Sequence, residues 1–497
     1  MKNSSLMTDL YELTMADIYY HSGRRDEIAY FDVFYRSNVL GSGYQVAGGL
    51  EEAIDYIQNF HFEEEDIEYL RSTGKLTEEF LDYLKDLHFT GDVYAVPDGT
   101  IIFPNEPIMT IKAPIIEAQI LETALLTCFN TGSLTATASK QITEAAKGKA
   151  VAEFGARRVR GGIDATLLES KYAYLGGCSA TSNVLAGKKY QIPVVGTIAH
   201  ALVQSYDNEY DAFLEYAKHA PDKNSLVLLV DTYDVECGIL NAIRLQKEYL
   251  GPLGFRLKGI RIDSGDLVYL TRMARQMFKE AGMDYVDICV SNGLDARMVD
   301  TMLKNGAEID SYGIGDNIVA SRDRANFVYK LVAIEAVEKN NQIIPRIKVS
   351  EDTVKVLNPD YKKTYRFYDQ ETGKVLGDVI ARHDEVIDPD HYTLVDDKNP
   401  WKKTELSNYT VRELQVPIFE EGNLIYEVPD LKLSRQYCKK EYETLTDRIT
   451  DIYHPHTYYV DLSENLRKLK EEMLDTELRE VREKKESYQK KLGEYHA

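Results

Sequence analysis

Between residues 151 and 316, six short apolar runs each end in a cluster able to bind anions, carry charge or move protons. The run 151–154 leads into Gly155-Ala156-Arg157-Arg158, and 193–195 into Gly196-Thr197-Ile198-Ala199-His200. The run 226–230 leads into Asp231-Thr232-Tyr233-Asp234, and 259–262, with Arg261 inside it, into Asp263-Ser264-Gly265-Asp266. The last two, 286–290 and 309–312, lead into Ser291-Asn292-Gly293 and Gly313-Ile314-Gly315-Asp316. Polar groups gathered at one end of successive buried strands are the pattern of an α/β barrel whose chemistry sits at the carboxyl ends of its strands.

Each cluster suggests a task beside a plainer alternative. Glycines at 293, 313 and 315 let backbone N–H groups converge on a phosphate, and the loops after the last strands of such barrels are common phosphate sites; tight turns would use the same residues. Arg157, Arg158 and Arg160 form the dense Arg cluster of this region; a solvated surface run is the plainer reading, and their place directly after a buried strand argues that at least one points into the site. Arg261 lies within an apolar run, where an unpaired charge is costly. It either pairs structurally with Asp263 or Asp231, or is reserved for a substrate carboxylate gripped by two parallel hydrogen bonds. His200, beside Thr197 and in a ring with Asp231 and Asp263, is open as a general base, a metal ligand or a nucleophile. One histidine among carboxylates disfavours a zinc site and permits Mg²⁺ held through substrate phosphates.

Several elements must position these groups. Residues 9–20 have a helical period, with Asp9 as cap and Glu12 three positions on, and 45–60 and 77–87 repeat that period. From Gly91 the runs 93–96, 100–103 and 108–112 suggest strands joined by Pro/Gly turns, followed by an apolar helix over 115–129. Equivalent strand ends at Asp231, Asp263 and Ser291 fall about 30 residues apart, the length of a strand, a helix and two turns. The run 328–334 is expected as a last strand. Residues 345–385 hold strand-like runs, and 462–495 a charged helix lying on the rest of the protein through Leu466, Leu469, Met473 and Val481. The expected organisation is an N-terminal α+β domain over 1–140, an α/β barrel catalytic domain over 141–340 and a C-terminal domain over 341–497.

A chain of 497 residues, 44% hydrophobic, is ample for such a core. Its 81 acidic and 59 basic residues leave a formal charge of −22, which repels nucleic acid and anionic lipid and excludes both as expected partners. The five cysteines are scattered without metal-like spacing, as in a reducing cytoplasm. No apolar signal-peptide core opens the chain, and no stretch of about 18 apolar residues suggests a membrane span.

As a set, these strings resemble the nicotinate phosphoribosyltransferase family in its long bacterial form. The likeness rests on Met7-Thr8-Asp9-Leu10-Tyr11-Glu12-Leu13-Thr14-Met15, Glu153-Phe154-Gly155-Ala156-Arg157-Arg158 and Gly196-Thr197-Ile198-Ala199-His200. It continues through Val230-Asp231-Thr232-Tyr233-Asp234, Arg261-Ile262-Asp263-Ser264-Gly265-Asp266 and Gly313-Ile314-Gly315, in the family's order from about residue 7 to 335. The resemblance implies a type II phosphoribosyltransferase-like incomplete α/β barrel with a C-terminal extension. It implies synthesis of nicotinate mononucleotide and pyrophosphate from nicotinate and 5-phosphoribosyl 1-pyrophosphate, in NAD salvage. It also implies ATP hydrolysis through a phosphohistidine at His200, Mg²⁺ travelling with the pyrophosphate substrate, and a cytoplasmic homodimer with shared active sites.

By the same resemblance Tyr11 and Phe154 sandwich the pyridine ring from different subunits. Arg261 meets the nicotinate carboxylate, Thr197 shares its pocket, and Asp316 contacts the phosphoribosyl substrate. The chemistry of the ligands adds Arg157, Ser264, Gly265, Gly293 and Gly315 as substrate-binding groups, and Asp231 or Asp263 to stabilise charge on the ribose. No residue is expected to bind a metal directly. A nicotinamide-using relative and, from another class, a metal-dependent aldolase-type barrel are the competing expectations.

Overall fold

Short runs rich in Val, Ile and Leu bury both faces, and six of them form one parallel sheet. A computed structural model describes the protein at residues 5–320, 323–336, 342–349, 356–396, 399 and 401–495. Residues 1–4, and 350–355 within the expected strand-rich segment, lie outside these. The chain forms two compact units, one made of 1–133, 324–430 and 440–497, the other of 134–323 and 431–439.

In the second unit the strands are β1 (Ala150–Glu153), β2 (Ala180–Thr181), β3 (Val227–Leu229), β4 (Gly259–Ile262), β5 (Asp287–Ser291) and β6 (Ser311–Ile314). Their order across the sheet is β2-β1-β6-β5-β4-β3, with every pairing parallel. The expected strand at 193–195 is reduced to a single bridge, Val194 to Thr181, beyond β2. Pro193 has no N–H to donate, which limits pairing there. These staves, wound from β2 round to β3, form the incomplete α/β barrel anticipated from the sequence. β2 was not anticipated, because two residues show no periodicity.

Helices Val235–Leu245, Leu267–Glu280 and Ala296–Lys304 follow β3, β4 and β5. Each begins at an Asp whose carboxylate accepts first-turn N–H groups: Asp234 from Cys237, Asp266 from Val268 and Tyr269, and Asp295 from Met298. Asp234 and Asp266 of the strand-end clusters therefore stop the loops and start the helices. Ile239, Ala242, Ala274, Phe278 and Val299 from these helices join Leu228, Ile260, Ile262, Ile288, Val290 and Ile314 from the strands in one buried core.

The first unit is built around an antiparallel seven-stranded sheet in which Ile28–Tyr35 lies between Met109–Pro114 and Phe327–Ala336. The run expected as a last barrel strand is thus an antiparallel strand of this other sheet, with Val33 opposite Tyr329 and Tyr35 opposite Phe327. It pairs antiparallel with Ile28–Tyr35 and with Gln342–Pro345, pairings that need no crossover helix. The amino-terminal helix is Leu10–His21, but Asp9 makes no side-chain cap. Glu12 does not reach back to close a capping box; it is buried and accepts hydrogen bonds from Thr8 (2.6 Å) and Thr123. A four-stranded sheet holds Lys362–Asp369 and Val375–Arg382 at its centre, and the charged helix Glu464–Tyr495 packs Leu466 against Ile380 and Leu462. No helix among the described residues is long and apolar enough to cross a membrane.

Candidate active site

At the carboxyl ends of β1, β4, β5 and β6, together with the loop 196–200, lies a cavity of about 550 Å³, the size of a small-molecule site. Phe154 leaves β1 with its N–H donated to the Ile314 carbonyl (2.8 Å) and its ring against the backbone of Gly313. A Cβ on Gly313 would stand 2.4 Å from the ring's Cε2, and one on Gly315 would stand 2.9 Å from the Phe154 carbonyl oxygen. These two glycines let the ends of β1 and β6 close on each other, with Phe154 lining the cavity. Gly293 has open space around it, and its N–H donates to Asn292 Oδ1 (2.7 Å). Asn292 holds φ at 132°, a conformation that costs energy without glycine and concentrates at functional sites.

The opposite side is polar. Arg261 Nη1 donates to Thr197 Oγ1 (2.7 Å), while its Nε is buried with no acceptor. The structural pairing with Asp231 or Asp263 is not made. Asp231 Oδ2 instead accepts from the Asp263 N–H (2.9 Å) and Ser264 Oγ (2.7 Å), which joins the β3 and β4 ends. Its Oδ1 is buried with no donor. His200 Nδ1 lies 3.1 Å from Thr232 Oγ1, and its Nε2 faces Asp231 Oδ1 at 3.9 Å and Asp263 Oδ2 at 4.0 Å. Ser291 donates to Asp263 Oδ1, tying the β5 end to the same group. Cys289, beside Arg261 in the sheet, has its thiol pushed up mainly by burial, so it stays a thiol rather than a nucleophile.

At the rim, Arg158 Nε pairs with Asp316 Oδ1 at 3.0 Å, both side chains being about half exposed. Arg157 is exposed beside them. Ser182, which follows β2, also lines the cavity and was missed in the sequence; a Ser-Asn pair before a helix was the available signal. Ser264 and Gly265 do not line it. Ser264 is committed to Asp231, and Gly265 makes its turn at φ 86°. Tyr11 belongs to the first unit, on the helix Leu10–His21, and is 47% exposed.

Comparison with known proteins decides the family. The profile described as the nicotinate phosphoribosyltransferase (NAPRTase) family matches residues 150–374, that of its N-terminal domain 6–130, and that of its C-terminal domain 361–470. The chain is 39% identical over 465 residues to nicotinate phosphoribosyltransferase of Bacillus subtilis, covering 93% of each protein. The chain belongs to the nicotinate phosphoribosyltransferase family. It is also 37% identical over 443 residues to nicotinate phosphoribosyltransferase 1 of Arabidopsis thaliana, with 76% of this chain and 77% of that one covered.

Among solved structures, human nicotinic acid phosphoribosyltransferase matches with a TM-score of 0.80 and 26% identity, over 94% of this chain and 99% of that one. The fold is likewise shared with a nicotinate-nucleotide pyrophosphorylase from Pyrococcus furiosus (TM-score 0.68, 24% identity, 88% and 95% covered). Of the site residues anticipated from the sequence, Phe154, Arg157, Thr197, His200, Arg261, Asp263, Gly293, Gly315 and Asp316 line one cavity, and Asp231 lies directly behind it.

Proposed function

We propose that the protein transfers the phosphoribosyl group of 5-phosphoribosyl 1-pyrophosphate to nicotinate, in the cytoplasm, forming nicotinate mononucleotide and pyrophosphate. The observation that carries this reading is Arg261. Its Nη1 is fixed by Thr197 while its buried Nε lacks an acceptor, an arrangement suited to a planar carboxylate arriving from the cavity. The pyridine ring then lies on Phe154, and Tyr11 of a second copy of the chain supplies the other face. The pyridine nitrogen, unprotonated at neutral pH, forms a bond to ribose C1 as the bond from C1 to pyrophosphate breaks and its electron pair leaves with pyrophosphate. Positive charge that builds on the ribose is met by Asp231 or Asp263.

Arg157, Arg158 and the loops at Gly293 and Gly315 receive the phosphates, with Asp316 released from Arg158 toward the ribose. The residues fit a Mg²⁺ ion brought by the pyrophosphate: Asp231 Oδ1 has no donor, and Asp263 lines the cavity. When bound, the ion would neutralise charge on the leaving group. His200 accepts the γ-phosphoryl of ATP on Nε2, releasing ADP, and hydrolysis of that phosphohistidine couples ATP to synthesis. In support, Nδ1 is engaged by Thr232, while Nε2 is the nitrogen facing the carboxylates.

The test supplies nicotinate, phosphoribosyl pyrophosphate and Mg²⁺, with and without ATP. Nicotinate mononucleotide is expected in both, with more product when ATP is present; its absence under every condition overturns the proposal. γ-Labelled ATP should leave an acid-labile, alkali-stable phosphate that is missing in His200→Ala. Mixing Tyr11→Ala with Arg261→Ala chains should restore activity through one intact shared site.

A further inference from the structure

Glu153 is a charged residue at the end of the apolar strand β1, and it is 1% exposed. A carboxylate there is costly unless several donors reach it. Three do: the Gly155 N–H, Ser170 Oγ (3.0 Å) and Thr181 Oγ1 (2.6 Å). They come from three different elements, namely the turn after β1, the helix Gly162–Gly176 and strand β2. The backbone adds a fourth link, since the Glu153 carbonyl accepts from the Ser182 N–H (2.9 Å). Thr181 in turn pairs with the run leading to His200, donating to the Pro193 carbonyl and accepting from the Val195 N–H, each at 3.0 Å.

A buried carboxylate can serve the core alone, but this one is joined to both sides of the cavity. Phe154, next in the chain, lines the cavity, and Gly155 starts the turn that carries Arg157 and Arg158. Ser182 lines the cavity beyond Thr181. We propose that Glu153 is a positioning residue: its carboxylate clamps the Phe154–Arg158 turn to β2, so that the ring and phosphate subsites keep a fixed spacing from the loop that ends at His200. This rests on the reading of the cavity as the phosphoribosyl-transfer site and deepens it. Glu153 itself touches no substrate.

Two variants test the clamp in the full-length protein. Glu153→Gln replaces one acceptor oxygen with a donor, so one of the three donors is opposed. Thr181→Val removes one donor and keeps the volume. Each should lower kcat/KM by about 10- to 100-fold, with KM for both substrates rising, as expected when binding groups are displaced by a fraction of an ångström to an ångström. Thr181→Ser should recover at least half of what Thr181→Val loses. Binding of inorganic pyrophosphate with Mg²⁺, followed by calorimetry, should weaken in Glu153→Gln and Thr181→Val.

Phe278→Leu, a core change far along the following helices, supplies a control with a comparable fall in Tm. Equal catalytic losses in that control would make the effect one of general stability and overturn the clamp. So would wild-type kinetics and pyrophosphate binding in Thr181→Val, whether or not Glu153→Gln folds. A wild-type protein that makes no mononucleotide would overturn the functional reading by itself, and the pyrophosphate measurement would still report on Glu153.

Discussion

Gly313 shows how a single missing methyl can shape a site. Because a Cβ there would stand 2.4 Å from the Phe154 ring, Gly313→Ala must push the ring into the cavity or part β1 from β6. Activity should fall by about 10- to 100-fold with a smaller effect on folding, measurable as kcat/KM against Tm. Thr197→Val removes the acceptor of Arg261 Nη1 and leaves a part-buried donor unpaired. A cost of about 1–2 kcal/mol, or roughly 5- to 30-fold, is expected in KM for nicotinate. The sequence made these positions visible but not all of their reasons. Gly313-Ile314-Gly315 is recognisable as a special loop, yet the ring that needs the glycine lies far earlier in the chain, at Phe154. Arg261 announces itself by its cost within an apolar run, whereas its choice of Thr197 over Asp231 or Asp263 depends on how separate strand ends meet.

Elements follow the same logic of buried charge. On the helix Gly162–Gly176, Glu169 has its carboxyl pushed up to about 7, chiefly by burial, with Glu153 adding to the rise and the Thr135 hydrogen bond opposing it. In the unfolded chain this carboxyl ionises near its ordinary value, so ionisation favours unfolding progressively between about pH 4.5 and 7 and fully above that. Glu169→Gln should therefore gain stability relative to wild type at pH 8 and show little gain at pH 4.5, read as the difference in denaturant midpoints. In the four-stranded sheet of the first unit, Arg366 is fully buried and grips Asp378 through Nε at 2.9 and 3.1 Å and Nη2 at 2.6 Å. Asp378→Ala removes the carboxylate that Arg366 hydrogen-bonds, leaving only the longer pairs to Glu441 (3.6 Å) and Glu106 (3.9 Å), and should destabilise by about 3 kcal/mol in equilibrium unfolding.

Long amphipathic or apolar elements were legible, including the helices after β3, β4 and β5, whereas their Asp caps show only in the structure. Two-residue β2 was not, since it has no period to detect. The strand Phe327–Ala336 was legible as a strand, but its sheet was not, because an apolar run does not say which neighbour it will pair with.

Over the whole molecule, an acidic protein of charge −22 concentrates Arg157, Arg158 and Arg261 around one cavity. These cations offset Asp263 and Asp316 of the same lining and offer anionic ligands partners that the remaining acidic surface lacks. The resemblance in sequence extended over most of the chain, and the family match and barrel bear it out; the tasks of single residues rest on the cavity's geometry and on experiment. The most direct test of the central claim measures kcat/KM for nicotinate and for nicotinamide in wild type and in Arg261→Ala, with phosphoribosyl pyrophosphate and Mg²⁺ saturating. If Arg261 receives the carboxylate, wild type prefers nicotinate, and the substitution lowers kcat/KM for nicotinate by about 100-fold while changing that for nicotinamide far less. Equal losses for both substrates, or a wild type that favours nicotinamide, would contradict it.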